Sequence, residues 1–447
     1  MYPISGAKCE TLATAWRERP RKEQTLLSES DNASNRSIGS IALTGVVVNS
    51  VIGAGIFALP GEIARLVHRG APYVYVLGFF AMAPIAGAYV LIGTRIEHNG
   101  GQYTYVRSIL GETFGTTTAL YVLVVRSTSA AVVVDLFVKY LAEFIPAAHT
   151  LSWRIVAVLG VVALLAIGNT LGVKLGVRLS SALSVLKLAS LAAFVGAGYL
   201  LLSHPHPVVA PSNLPPASWT KAVSLLVFAY GGFDSVLCPA GEVKSPKITL
   251  PLALGFGLGT IGVFYFLVQL VATWSGADLE NSPRPLAEAA RVFAGASGAA
   301  AMSVAAVIST LGWLCATFVT VPQFIRATAE RGDFFPAAGK THSSFGTPHI
   351  AILIWAAVVC VLGLGRDLLW NVELSVGARL LMYSIATVAL LRDQNHPLSV
   401  LGRITGFAGL ALCVALFHIG YLQALVLAAI FGFSAVWTLK RSRRIAR

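Results

Sequence analysis

Val51-Ile52-Gly53-Ala54-Gly55-Ile56-Phe57-Ala58-Leu59-Pro60 sits inside an apolar run over residues 40–67 and is poor material for an unbroken helix. Glycines in a helix interior cost roughly 1 kcal/mol each, and Pro60 takes away a backbone donor. A second stretch of the same kind, Phe228-Ala229-Tyr230-Gly231-Gly232-Phe233-Asp234, falls in the run over 219–241 and carries an acid. Either one alone reads equally well as a tight helix–helix contact, where small residues are common.

Their places along the chain shift the balance. Apolar runs lie near 40–67, 71–96, 116–145, 152–171, 178–202 and 219–241, then near 250–276, 298–327, 348–365, 369–391, 401–419 and 421–439. Each is long enough to cross a bilayer. Only helices or closed barrels satisfy their backbone groups in hydrocarbon, and the short alternating strands of a barrel are absent, so the pattern predicts an all-α integral membrane protein of about twelve transmembrane helices. The two glycine-rich stretches fall in runs 1 and 6, which are equivalent positions if runs 1–5 and 6–10 are repeats. Interrupted segments at matching places in two halves point to a transporter binding site. Unwinding there frees N–H groups at the positive end of a half-helix, which can hold a carboxylate. It also frees carbonyls that accept from an ammonium, so a zwitterion fits both ends.

Bulk composition agrees. Of 447 residues, 56% are hydrophobic and 12% charged, whereas soluble domains carry roughly 25% charged residues. The formal charge of +13 invites a nucleic-acid reading. Most Lys and Arg residues, however, lie in tails and short loops, as the positive-inside rule expects, and no basic, aromatic-interleaved surface segment occurs. With both termini in the cytoplasm, inside Lys and Arg outnumber outside ones roughly three to one. The closing Lys440-Arg441-Ser442-Arg443-Arg444 anchors the last run inside. Residues 1–37 are polar, lack a signal-peptide pattern and read as a disordered cytoplasmic tail; 441–447 read as a basic cytoplasmic tail. Cys9, Cys238, Cys315, Cys360 and Cys413 are scattered, so neither a disulfide framework nor a zinc site is expected, and no cofactor either.

With its flanking motifs, the sequence resembles the amino acid–polyamine–organocation (APC) transporter family. The matching residues are Gly53-Ala54-Gly55-Ile56-Phe57 with Pro60, and Gly100-Gly101-Gln102-Tyr103-Thr104-Tyr105 after run 2. They continue with Phe228 to Asp234 leading into Pro239-Ala240-Gly241-Glu242-Val243-Lys244-Ser245-Pro246, then Ser282-Pro283-Arg284-Pro285-Leu286-Ala287-Glu288 and Phe345-Gly346-Thr347-Pro348. The resemblance covers about residues 38–391 and, more loosely, the rest. It implies a LeuT-type five-plus-five inverted repeat with broken helices 1 and 6, repeat one near 38–202 and repeat two near 219–391, plus two C-terminal helices near 401–439. It implies alternating access around a midplane site in the cell membrane. The substrate carboxylate is expected at Gly53, Ala54, Gly55 and Ile56, next to Val51, and the amine at carbonyls of Phe228, Ala229 and Gly231, next to Gly232. Ser129 and Ala130 of run 3 are expected to face the same cavity. Ala54 stands where some relatives have serine, which removes one hydrogen bond to substrate.

Charges inside apolar runs are costly and are functional hypotheses by default. Lys187, in Val185-Leu186-Lys187-Leu188, lies mid-run 5. In similar sodium-independent transporters a lysine there takes the place of a sodium ion between runs 1 and 8, which implies proton coupling or a fixed positive charge; the bland alternative is a snorkelling lysine. Asp234 reads as a gate or proton carrier ahead of a helix-break cap. Asp135 and Lys139, four apart, are expected to pair. Arg126, Arg379 and Glu373 receive no role.

The rivals are weaker. Gly339-Lys340-Thr341 lacks the glycine of a P-loop, Phe334 standing in its place. No nucleophile–base cluster lies within the runs, so an enzyme is not expected. A polyamine or organocation carrier would carry several inward acids, whereas Asp234 is the clear one near a break. A non-transporting amino-acid sensor would bind without moving substrate. The expectation is therefore a secondary transporter (permease) for amino acids, proton-coupled or exchanging, working as symporter or antiporter.

Overall fold

The computed structural model describes residues 38–96, 101–145, 147, 150–172, 175–202, 204–209, 213–237, 242–365 and 367–445. The expected tail 1–37, Gly100 and the stretch Pro239 to Gly241 lie outside the described residues.

The first apolar run folds as two helices, α1 (Ser40–Val51) and α2 (Gly55–Val67), parted at Ile52, Gly53 and Ala54. Then come α3 (Ala71–Gly93), the short α4 (Gly101–Leu110), α5 (Glu112–Leu141), α6 (Leu151–Thr170) and α7 (Leu175–Leu201). α8 (Pro216–Tyr230) ends at the second glycine pair and a 3-10 turn, Phe233–Leu237, follows. The chain continues through α9 (Pro246–Trp274), α10 (Pro285–Glu330), α11 (His349–Gly365), α12 (Leu368–Arg392), α13 (Val400–Ala415) and α14 (Tyr421–Ile445). Among the described residues, seven helices are long and apolar enough to cross a membrane, with shorter apolar helices at Ser40–Val51, Leu186–Leu201, His349–Gly365 and Val400–Ala415.

Local chemistry sets the boundaries. Proline opens α8, α9 and α10 in the first turn, where its missing N–H has no intrahelical partner to lose. Asp367 caps α12 by accepting from Trp370 N at 2.9 Å, and Ser399 caps α13 from Gly402 N at 3.1 Å. α10 bends at Gly295, whose φ of 64° interrupts the helix ahead of its apolar part.

The exterior is as apolar as the interior. Phe80, Leu164, Phe256, Val361, Phe407 and Val414 all stand more than half exposed, a surface suited to lipid rather than water. Inside, Tyr75, Tyr89, Tyr140, Tyr230, Tyr265, Tyr383 and Trp355 are fully buried. In lipid there is little hydrophobic drive between helices, so close packing holds the bundle. The principal packings are α5 on α12 and α10, α10 on α7, α9 on α3 and α1, and α13 on α3.

The two ends of the bundle are tied by polar networks. At one end Ile38 N donates to Glu242 O (3.1 Å) and Lys244 N to Ile38 O (2.9 Å). There, too, buried Asp333 accepts from Tyr103, from Arg107 (2.6 Å), from Thr116 (3.1 Å) and from Arg441 (3.1 Å). Burial and the Asp333 carboxylate raise the Tyr103 phenol above its ordinary pKa. At the opposite end Glu143 pairs with Arg284 (2.8 Å) and Arg291 (2.7 Å). Asp135 pairs with Lys139 (2.8 Å), as its spacing leads one to expect, and also with Arg154 (3.2 Å).

Candidate functional site

The two breaks meet. A Cβ built on Gly55 would lie 2.7 Å from Ala229 Cα, so the start of α2 rests directly on the last turn of α8. Gly232 has φ 118°, and a Cβ there would lie 2.5 Å from Ser50 O. Glycine at 232 is required by both conformation and space. The Tyr265 hydroxyl, from α9, lies 3.1 Å from Val51 O and 3.4 Å from Ala229 O, joining the carbonyls of both breaks. Val51 to Ile56, Phe228, Ala229, Gly231 and Gly232 are all buried. The expected residues of the two breaks are therefore in one place.

Ser129 reaches this place through an arginine. Arg379 of α12, 6% exposed, donates from Nη2 to Ser129 Oγ at 3.4 Å and lies 6.0 Å from the centroid of the Phe228 ring. Its guanidinium fills the space a side chain at Gly231 would need, and its Nη1 lies 3.9 Å from Asp234 Oδ1. Ala130 is fully buried beside Ser129 on α5. Asp234 Oδ1 also accepts from Gly232 N (3.2 Å) and Tyr383 OH (3.4 Å). The acid thus both caps the second break and faces a cation.

Lys187 extends from α7 to the first break. Its Nζ donates to Ile52 O and lies 3.3 Å from Asn49 Oδ1 and 3.4 Å from Asn49 O. At 6% exposure, the ammonium is held by acceptors left without helical partners where α1 stops.

Both Lys187 and Asp234 line a cavity of about 500 Å³, together with Asn49 and Ser50 of α1, Gln102 of α4, Arg126 of α5 and Trp313 of α10. The size suits a small organic molecule. The Trp313 ring lies next to the first break, 3.7 Å from where a Cβ on Gly53 would be. In the sequence Arg126 and Arg379 stand out as charges inside apolar runs, without a place in the site. Trp313 and Tyr265 do not stand out at all, because an aromatic residue in an apolar helix carries no signal of what it faces.

Paired helix breaks beside a cavity that their neighbours Asn49, Ser50 and Asp234 line, inside an apolar bundle, fit a polytopic transport protein. The amino acid permease family model matches residues 38–439, and the chain belongs to that family. It is 26% identical over 348 residues to the serine/threonine exchanger SteT of Bacillus subtilis (strain 168), covering 74% of this chain and 77% of SteT. It is 28% identical over 393 residues to an uncharacterized transporter of Mycobacterium tuberculosis, covering 85% of each. With the inner membrane transport protein YbaT of Escherichia coli (strain K12) it shares 25% identity over 339 residues, covering 74% of this chain and 78% of YbaT. The protein is a multi-pass membrane transporter of the amino acid permease family, not an enzyme.

Proposed function

We infer that the chain is a secondary transporter that moves amino acids across the cell membrane by alternating access. In this reading about twelve spans form a five-plus-five inverted repeat, with α1 and α2 as the broken first helix and α8 with its 3-10 turn as the broken sixth. α13 and α14 are the two added helices. The Lys and Arg bias supports cytoplasmic termini, so the cavity faces the cytoplasm in the present conformation.

The contact of Gly55 with Ala229 carries the reading. It brings the free N–H groups at the start of α2 and the free carbonyls at the end of α8 within reach of one small zwitterion. The carboxylate is assigned to Gly53 through Ile56 and the amine to Phe228, Ala229 and Gly231. Val51, Ser129, Ala130 and Gly232 form the walls. Asp234 acts as a gate, and Lys187 couples the cycle to protons; in an exchanger, which one relative is named as, it is a fixed brace.

Uptake of radiolabelled amino acids by purified protein in liposomes tests this. Wild type should take up or exchange at least one of them. Gly55→Leu should abolish uptake while still inserting, because its side chain would drive the two breaks apart. Undiminished uptake by that variant would place the site elsewhere.

A further inference from the structure

The charged groups of the cavity are unequally occupied. Lys187 is held by Asn49 and Ile52. Asp234 is engaged by Gly232, Tyr383 and Arg379. Arg126 is different: it lines the cavity, is half-buried, and makes no hydrogen bond or ion pair among the described residues. No second carboxylate lines the cavity to answer it.

An arginine at membrane depth without a counter-charge is costly. Its guanidinium is a rigid fork that matches a carboxylate with two parallel hydrogen bonds. Arg126 also stands one turn from Ser129 on α5, and residues three apart share a helix face. Ser129 is bonded to Arg379 at the second break, so the free arginine shares a face of α5 with a residue that reaches the break, and it lines the same cavity as Asn49, Ser50 and Asp234 beside the two breaks. The rise over three residues is about 4.5 Å, a separation the side chain of a bound amino acid can bridge.

We propose that Arg126 is the receptor for a side-chain carboxylate, and that this transporter selects amino acids with acidic side chains. The proposal rests on the transport reading above. It deepens that reading by naming the substrate class. An acidic substrate would supply the counter-charge that Arg126 lacks, whereas a cationic one would add a like charge to a cavity that already holds Lys187.

The test is competition in liposomes, comparing L-glutamate and L-aspartate with their neutral isosteres L-glutamine and L-asparagine, and with L-lysine. Wild type should prefer an acid over its amide by tenfold or more, and L-lysine should compete least. Arg126→Gln should collapse the acid-to-amide ratio toward one, and Arg126→Lys, which keeps the charge, should retain more of it. Equal affinity for acid and amide in wild type overturns the proposal, as does a ratio unchanged in Arg126→Gln. Should Arg126→Gln not assemble, the wild-type ratio and Arg126→Lys decide. Transport of neutral amino acids with rejection of acidic ones would sink the proposal and leave the transport reading standing. Uptake of no amino acid at all would sink the transport reading.

Discussion

In the proposed transport cycle, coupling turns on Lys187. Its ammonium bonds to Ile52 O and Asn49, acceptors at the end of α1, and charge-assisted hydrogen bonds are roughly twice as strong as neutral ones. Under that proposal, loss of the proton would weaken the tie between α7 and the first break and so shift the balance between conformations. A bias of about 1.4 kcal/mol changes the ratio of two states tenfold. Lys187→Ala should therefore remove accumulation driven by an imposed pH gradient in sodium-free liposomes, with binding changed only modestly, since the ammonium bonds to Asn49 and Ile52 O and is not assigned to the substrate. Lys187→Arg should keep the charge at all working pH and hold one state. Accumulation by Lys187→Ala equal to wild type would make the residue structural. This lysine was legible in the sequence because a charge in an apolar run stands out by cost alone. Arg379 stood out equally, but its place against Gly231 and Ser129 depends on which helices neighbour one another, and hydropathy does not carry that information.

The short helix α4 shows what a single element contributes. Tyr103 and Arg107 reach Asp333 beyond α10, while Tyr105 reaches Asp393 beyond α12 at 3.0 Å. Two buried carboxylates therefore clamp α4 beside the mouth of the cavity, which Gln102 and Tyr103 line. Asp333 is 1% exposed at its side chain and carries two arginines. Asp333→Asn keeps the shape but leaves Arg441 without its counter-charge and Arg107 with Glu112 alone (2.7 Å), which should cost about 1–3 kcal/mol. The Tm of the detergent-purified protein should fall, and by more than in Arg441→Ala, which leaves the Arg107 pair in place. An equal or smaller fall would show that the clamp does not depend on the carboxylate's charge. From sequence, the breaks at Gly53 and Gly231 were readable because glycine and proline act locally. The bend at Gly295 was not, since one glycine in a small-residue stretch looks like any other. Nor was the clamp, whose partners lie more than 200 positions apart.

At the scale of the whole molecule, hydropathy reads how often the chain crosses the membrane and not how the crossings lie side by side. The apolar runs were therefore visible, while the packing of α7 on α10 entered only through the family resemblance, and that of α5 on α12 is seen in the fold alone. The cavity is lined at one end by Gly101, Gln102 and Tyr103 of α4, and the far end is tied by Glu143 to Arg284 and Arg291, with Tyr140 OH donating to Phe57 O at 3.4 Å. Under alternating access, these far-end ties exist in one state and must part in the other. Glu143 and Arg284 are only 13% and 14% exposed at their side chains, so the pair should exceed the 0.2–1 kcal/mol typical of exposed pairs. Glu143→Gln should then shift the population away from the conformation described here. Ala316, on the cavity wall, supplies the reporter: in a background freed of the native cysteines, Ala316→Cys should react with a membrane-impermeant thiol reagent applied from the cytoplasmic side. Adding Glu143→Gln should slow that reaction severalfold and raise labelling from outside, because each 1.4 kcal/mol moves the ratio tenfold. Labelling of Ala316→Cys from outside alone would reverse the orientation, and labelling unaffected by Glu143→Gln would show that the far-end pair does not hold the conformation described here.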